Sequence, residues 1–149
     1  MALHCPAVIV VIALADEGAA ADIEKSVAEL LTAENVAAVY STDGRVADVT
    51  AVWLAKRLGV GPPVRIVPGA GASQTIADVH RGETVVVLDR APVGGPSGRW
   101  VRTGHRPASG DRAHDDRGTA RARLAPGVLD VLRLEVGDEG TRVLTPHRR

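Results

Sequence analysis

Aromatic side chains are almost missing: Trp53, Trp100 and Tyr40 are the complete set, 2% of 149 residues, and there is no phenylalanine. A core must therefore be assembled from Val, Leu, Ile and Ala, and a base-stacking platform for single-stranded nucleic acid has too few rings to be expected. An excess of one charge is missing too, since 18 basic and 18 acidic residues cancel. No general field draws the chain to nucleic acid or anionic lipid, and neither nucleic acid nor membrane is expected as a partner. Cysteine is limited to Cys5, which rules out an intrachain disulfide; beside an apolar run it reads as a small buried hydrophobe. No apolar run reaches the roughly 20 residues of a transmembrane helix. Ala7 to Leu14 has no basic segment before it and meets Asp16 and Glu17 after it, so it reads as a strand rather than a secretory leader, and a cytoplasmic location is expected. Lys25 and Lys56 are the only lysines, a bias toward Arg that points to a GC-rich, actinobacterial-type genome and says nothing of function.

What is present alternates. Ala7 to Leu14 (AVIVVIAL) is short, β-branched and apolar throughout, the pattern of a strand covered on both faces. Ile23, Val27, Leu30 and Leu31 then recur at helical spacing over Ala20 to Leu31. Val36 to Tyr40 is a second strand, and Ser41-Thr42-Asp43-Gly44 supplies cap and turn chemistry, Ser41 or Asp43 serving as the cap. A helix follows over Arg45 to Leu58, with Val49, Val52, Trp53 and Ala55 to Leu58 on its packing side and Gly59 as its stop. Val64 to Val67 is a brief strand, Pro68 to Ser73 (PGAGAS) a small-residue loop, Gln74 to Arg81 a short helix, and Glu83 to Leu88 a fourth strand. Residues 91–124 turn to Gly, Pro, Arg and Asp and read as a long, partly disordered insert with a short helix near Thr119 to Leu124. Val128 to Val136 and Thr141 to Leu144 flank a Gly-Asp-Glu-Gly turn as a closing hairpin. The expected fold is one α/β domain over residues 1–149: a doubly wound, mostly parallel sheet with flanking helices and a C-terminal antiparallel hairpin.

Three stretches carry a resemblance. VAAVYSTDGRVADVTAVWLAKRLGV (Val36 to Val60) is similar to the segment YSSPLxRAxxTAxxLAxxLG of the histidine phosphatase (phosphoglycerate mutase-like) superfamily, with Tyr40, Ser41, Ala47, Thr50, Ala51, Leu54, Ala55, Leu58 and Gly59 on its positions. HRGETVVVLDRAP (His80 to Pro92) resembles HxGETVLVVSHG, and VLDVLRLEVGDEGTRVL resembles the family's closing hairpin. The resemblance implies a phosphoglycerate mutase-like fold. In that family a histidine after the first strand attacks a phosphoryl group held by two arginines and a second histidine, because the transferring group needs cations and donors aimed at its oxygens. Here Ile12 and Ala13 stand at the Arg-His positions, Val46 replaces the boxed arginine with Arg45 beside it, Arg90 stands for the second histidine, and Pro68 to Ser73 holds no carboxylate. The expectation is a degenerate member without phosphohistidine catalysis.

Ligands of open α/β sheets lie outside the carboxyl ends of the strands. That rule collects Asp16, Glu17 and Asp89 as candidate general acids and bases, and Ser41, Thr42, Arg45 and Arg90 as candidate ligand-binding groups. Two readings stand: a non-catalytic binding, scaffolding or regulatory protein with a small-molecule or protein partner, possible as a homodimer, whose strand tips are neutralised by salt bridges; or a cofactor-independent lyase, isomerase or cyclase of specialised metabolism using those carboxylates. His105 and His114 lie near Asp111, Asp115 and Asp116 without any standard ligand spacing, so no metal is expected, and PGAGAS has neither a Walker lysine nor a full GxGxxG, so no cofactor is expected either. His80 reads as a surface histidine.

Overall fold

The computed structural model describes residues 5–15, 20–42, 44–90, 100, 127–138 and 140–144. Strands β1 (Ala7–Leu14), β2 (Val36–Ser41), β3 (Val64–Arg65), β4 (Thr84–Arg90), β5 (Val128–Gly137) and β6 (Gly140–Leu144) form one sheet, and helices α1 (Ala20–Leu30), α2 (Arg45–Leu58) and α3 (Ala70–Val79) flank it. The strand order is β3-β2-β4-β1-β5-β6. β1, β2, β3 and β4 pair in parallel, while β5 runs against both β1 and β6. Only β5 therefore opposes the others, and the fold is the mixed α/β sheet with a C-terminal hairpin that the alternation of patterns implies.

Side-chain alternation along β1 sorts the core into two layers, because successive residues of a strand face opposite ways. Val10, Ile12 and Leu14 join Val86 and Leu88 of β4 beneath Ile23 and Val27 of α1 and Ala47, Ala51 and Leu54 of α2. Ala7, Ile9 and Val11 join Val85 and Val87 beneath Ile76 and Ala77 of α3, together with Trp100. β1 and β4, apolar at nearly every position, lie in the middle of the sheet with both faces covered, the environment their sequences require.

Several boundaries differ from expectation. α3 begins at Ala70, so most of PGAGAS is its first turn rather than a loop. β4 runs on to Arg90 and β3 stops at Arg65. The buried side of α2 is Ala47, Thr50, Ala51, Leu54 and Ala55, whereas Val49 and Val52 are 51% and 48% exposed. Small residues let the helix axis approach the sheet closely, and this outweighs the hydrophobicity of the two valines. The resemblance positions in α2 are thus its packing face. Gly44 stands at the N-cap of α2 in place of Ser41, and no described side chain caps it; Asp43 lies outside the described residues. Gly59 ends the helix in the left-handed conformation, as its position suggested. Cys5 is exposed, not buried. The 91–124 insert, its short helix, His105 and His114 lie outside the described residues except for Trp100.

At the opening of β5, Gly127 has φ +81°, and a Cβ there would collide with Cγ1 of Ile23. Its carbonyl accepts the amide of Ala15 (2.9 Å), which stitches the end of β1 to the start of β5 under α1. No helix among the described residues is long and apolar enough to cross a membrane.

Candidate functional site

The carboxyl ends of β1 and β4 lie side by side, with Ala13 opposite Asp89 and Leu14 opposite Arg90. Ala13 has no exposed surface. Its methyl group lies on the α3 side of the sheet, in line with Ile9 and Val11, and Asp89 extends the matching row from Val85 and Val87. Asp89 is also fully buried. Its Oδ1 accepts the Thr42 hydroxyl (2.7 Å) and the Arg90 amide (2.8 Å), and its Oδ2 accepts the Trp100 indole N–H (3.0 Å). A buried carboxylate is tolerated only when its lone pairs are met by donors, and these three supply them. Trp100, itself without exposed surface, is thereby anchored over the tip of β4, in the layer that Ala13 faces.

Arg90 turns the other way. Its aliphatic stem lies against the N-terminus of α2, where a Cβ on Gly44 would come 3.4 Å from Arg90 Cδ; Gly44 has φ +147°, so a side chain there would also strain the backbone. Arg45, the first residue of α2, is exposed nearby in sequence. Ser41 and Thr42 likewise part company. The Thr42 amide donates to Leu88 O (3.1 Å) while its hydroxyl serves Asp89; Ser41 Oγ donates to Asp48 Oδ1 (3.1 Å) on α2, and Arg65 of β3 pairs with the other oxygen of Asp48. The candidate groups therefore divide between the two faces of the sheet: Asp89 and Thr42 on one, Arg90 and Ser41 on the other. Asp16 and Glu17 lie outside the described residues. Among the described residues no three His, Cys, Asp or Glu side chains gather to hold a metal ion.

A second constellation escaped the reading by motif. Tyr40 Oη lies 2.8 Å from His80 Nε2, and His80 Nδ1 lies 2.8 Å from Glu83 Oε1. The two rings meet edge to face at 5.7 Å. His80 is thus only 14% exposed and bonded through both nitrogens, not a loose surface histidine. Burial, and then the negative charge of Glu83, push the Tyr40 phenol above its ordinary 10.0. The sequence signal existed, since Tyr40, His80 and Glu83 all lie in the two family-like stretches, but 40 residues separate the phenol from the imidazole. Beside Tyr40 runs a groove of about 400 Å³ between the β3 edge and α3. A wider hollow of about 580 Å³ lies at the far end of the sheet, by the β5–β6 turn.

No protein-family model matches this chain, and no curated protein matches it. Among solved structures it is similar to a phosphoglycerate mutase from Plasmodium falciparum, at 15% identity and a TM-score of 0.45, over 94% of this chain and 91% of that one. The fold class rests on the strand order and directions described above, independently of that likeness.

Proposed function

We propose that this chain is a degenerate histidine-phosphatase-like protein that has lost phosphohistidine chemistry and acts as a non-catalytic binding, scaffolding or regulatory protein. The observation that carries the reading is the tip of β1 against β4: where the family-like register calls for a nucleophilic imidazole there is Ala13, fully buried, and its neighbour Asp89 is held by Thr42 and Trp100. A methyl group cannot attack phosphorus, and an arginine at position 90 cannot shuttle protons because its guanidinium stays charged. The competing reading, acid–base chemistry by Asp16, Glu17 and Asp89, asks Asp89 to exchange a proton with a substrate, and its burial behind an indole weighs against that.

A generic aryl phosphate should be hydrolysed no faster than in buffer, whereas steady turnover abolished by substituting a histidine elsewhere in the chain would sink the proposal. Asp89→Asn separates the two readings. In a binding protein it lowers the melting temperature and touches function only through that loss; in a carboxylate enzyme it removes turnover in protein that is still folded.

A further inference from the structure

The groove between the β3 edge and α3 is mostly apolar: Tyr40 and Thr75 are its polar side chains, and the Thr75 hydroxyl donates to Gly71 O (3.0 Å). Val64, Ile66, Val67, Ile76 and Val79 supply its greasy walls, and Tyr40 contributes a phenol. Val67 and Val79 are 83% and 67% exposed, and Val64 is half-exposed on a strand of two residues. At about 400 Å³ the space falls within the roughly 300–1,000 Å³ of small-molecule sites, which pair an apolar lining with few, well-placed polar groups.

Behind the phenol, the hydrogen-bond order fixes what it can offer. The Glu83 carboxylate only accepts, so the proton between it and His80 rides on Nδ1; in a neutral imidazole Nε2 then accepts, and the Tyr40 hydroxyl donates to it. With His80 neutral, the tyrosine proton is committed, and what remains on its oxygen is acceptor capacity. Burial first, and then the negative charge of Glu83, make the phenol resist ionisation, so the carboxylate adds a negative field at the site. Charge and hydrogen bonding thus agree: an anion is opposed, and a donor is wanted.

We propose that this groove is a binding site for an apolar small molecule bearing one donor group, an alcohol or a protonated primary amine, whose donor reaches Tyr40 while its body lies against Ile66, Ile76 and Val79. The site lies apart from the tips of β1 and β4, and it stands or falls independently of whether those tips retain chemistry.

Methyl-resolved NMR of the full chain tests it with three probes sharing one ring: cyclohexylmethanol, cyclohexylmethylamine and cyclohexanecarboxylate. The alcohol and the amine should shift the methyl signals of Ile66, Ile76 and Val79, and the carboxylate should bind at least about tenfold more weakly, since a like charge costs more than a neutral contact gains. Tyr40→Phe should weaken the alcohol about fivefold, the loss of one neutral hydrogen bond. Should that variant fold poorly, Val79→Asp, at an exposed position, should abolish binding of the alcohol with the remaining methyl spectrum unchanged. Equal binding of the carboxylate, unchanged affinity in a folded Tyr40→Phe, or no response of these methyls to any probe would overturn the proposal.

Discussion

Asp89 is one polar residue among apolar neighbours, and its two oxygens hold together parts of the chain that no local pattern connects: the end of β2 through Thr42 and, through the indole of Trp100, a residue of the insert. Asp89→Ala should strand both donors in the core, each at a cost of about 1–3 kcal/mol, and urea denaturation followed by Trp fluorescence will read the loss. Tyr40 offers a cleaner probe, because it is the only tyrosine. Its pKa is raised in the folded chain, so the neutral phenol contributes stability that is fully present below the unfolded value and is lost as pH rises through the folded one. Phenolate absorbance should therefore appear with a midpoint above 10.0 in native protein and return to about that value in denaturant. A native midpoint at or below 10.0 would mean that Tyr40 is neither buried nor near Glu83.

At the scale of the element, α2 separates hydrophobicity from shape. Its packing side is made of Ala47, Thr50, Ala51, Leu54 and Ala55, while Val49 and Val52 face outward. Ala51→Leu should cost about 1–3 kcal/mol by forcing the helix off the sheet, although it adds an apolar group. Val52→Ala should stay within about 0.5 kcal/mol, because the side chain removed is half in water and alanine favours the helix. Paired melting curves decide the point, and the reverse order of effects would place the packing stripe where periodicity alone puts it. The Arg65–Asp48–Ser41 chain belongs to this scale as well, for it fastens the short edge strand β3 to α2. Two of its members are exposed enough that solvent screens the ion pair, so it orients β3 more than it stabilises it.

For the molecule as a whole, the strand order puts β1 and β4 at the centre, with a layer on each face, and leaves β3 and β6 at the rims. Amide exchange should follow that order: slowest in Val10 to Ile12 and Val85 to Leu88, where opening needs global unfolding, and fastest in β3 and β6. Uniform protection across all six strands would contradict it. Ties between distant segments, such as Arg133 of β5 with Glu34 after α1 (2.5 Å), close the hairpin side of the sheet.

Runs and spacings were enough to place β1 to β6 and α1 to α3 to within a few residues, because a strand covered on both faces must be apolar at successive positions and a helix on a sheet must repeat every three to four. They were enough, too, to mark the stretches that carry the family resemblance. They could not decide which side of the sheet each residue at the strand tips would face: Asp89 and Arg90 are neighbours in the chain, yet the pleat sends one into the α3 layer and the other to the N-terminus of α2. Nor could they bring Tyr40 to His80, or Trp100 to Asp89. Those meetings depend on strand order and on how closely the helices approach, which are set by the packing of the folded chain; pattern along a chain records burial, whereas chemistry needs distance.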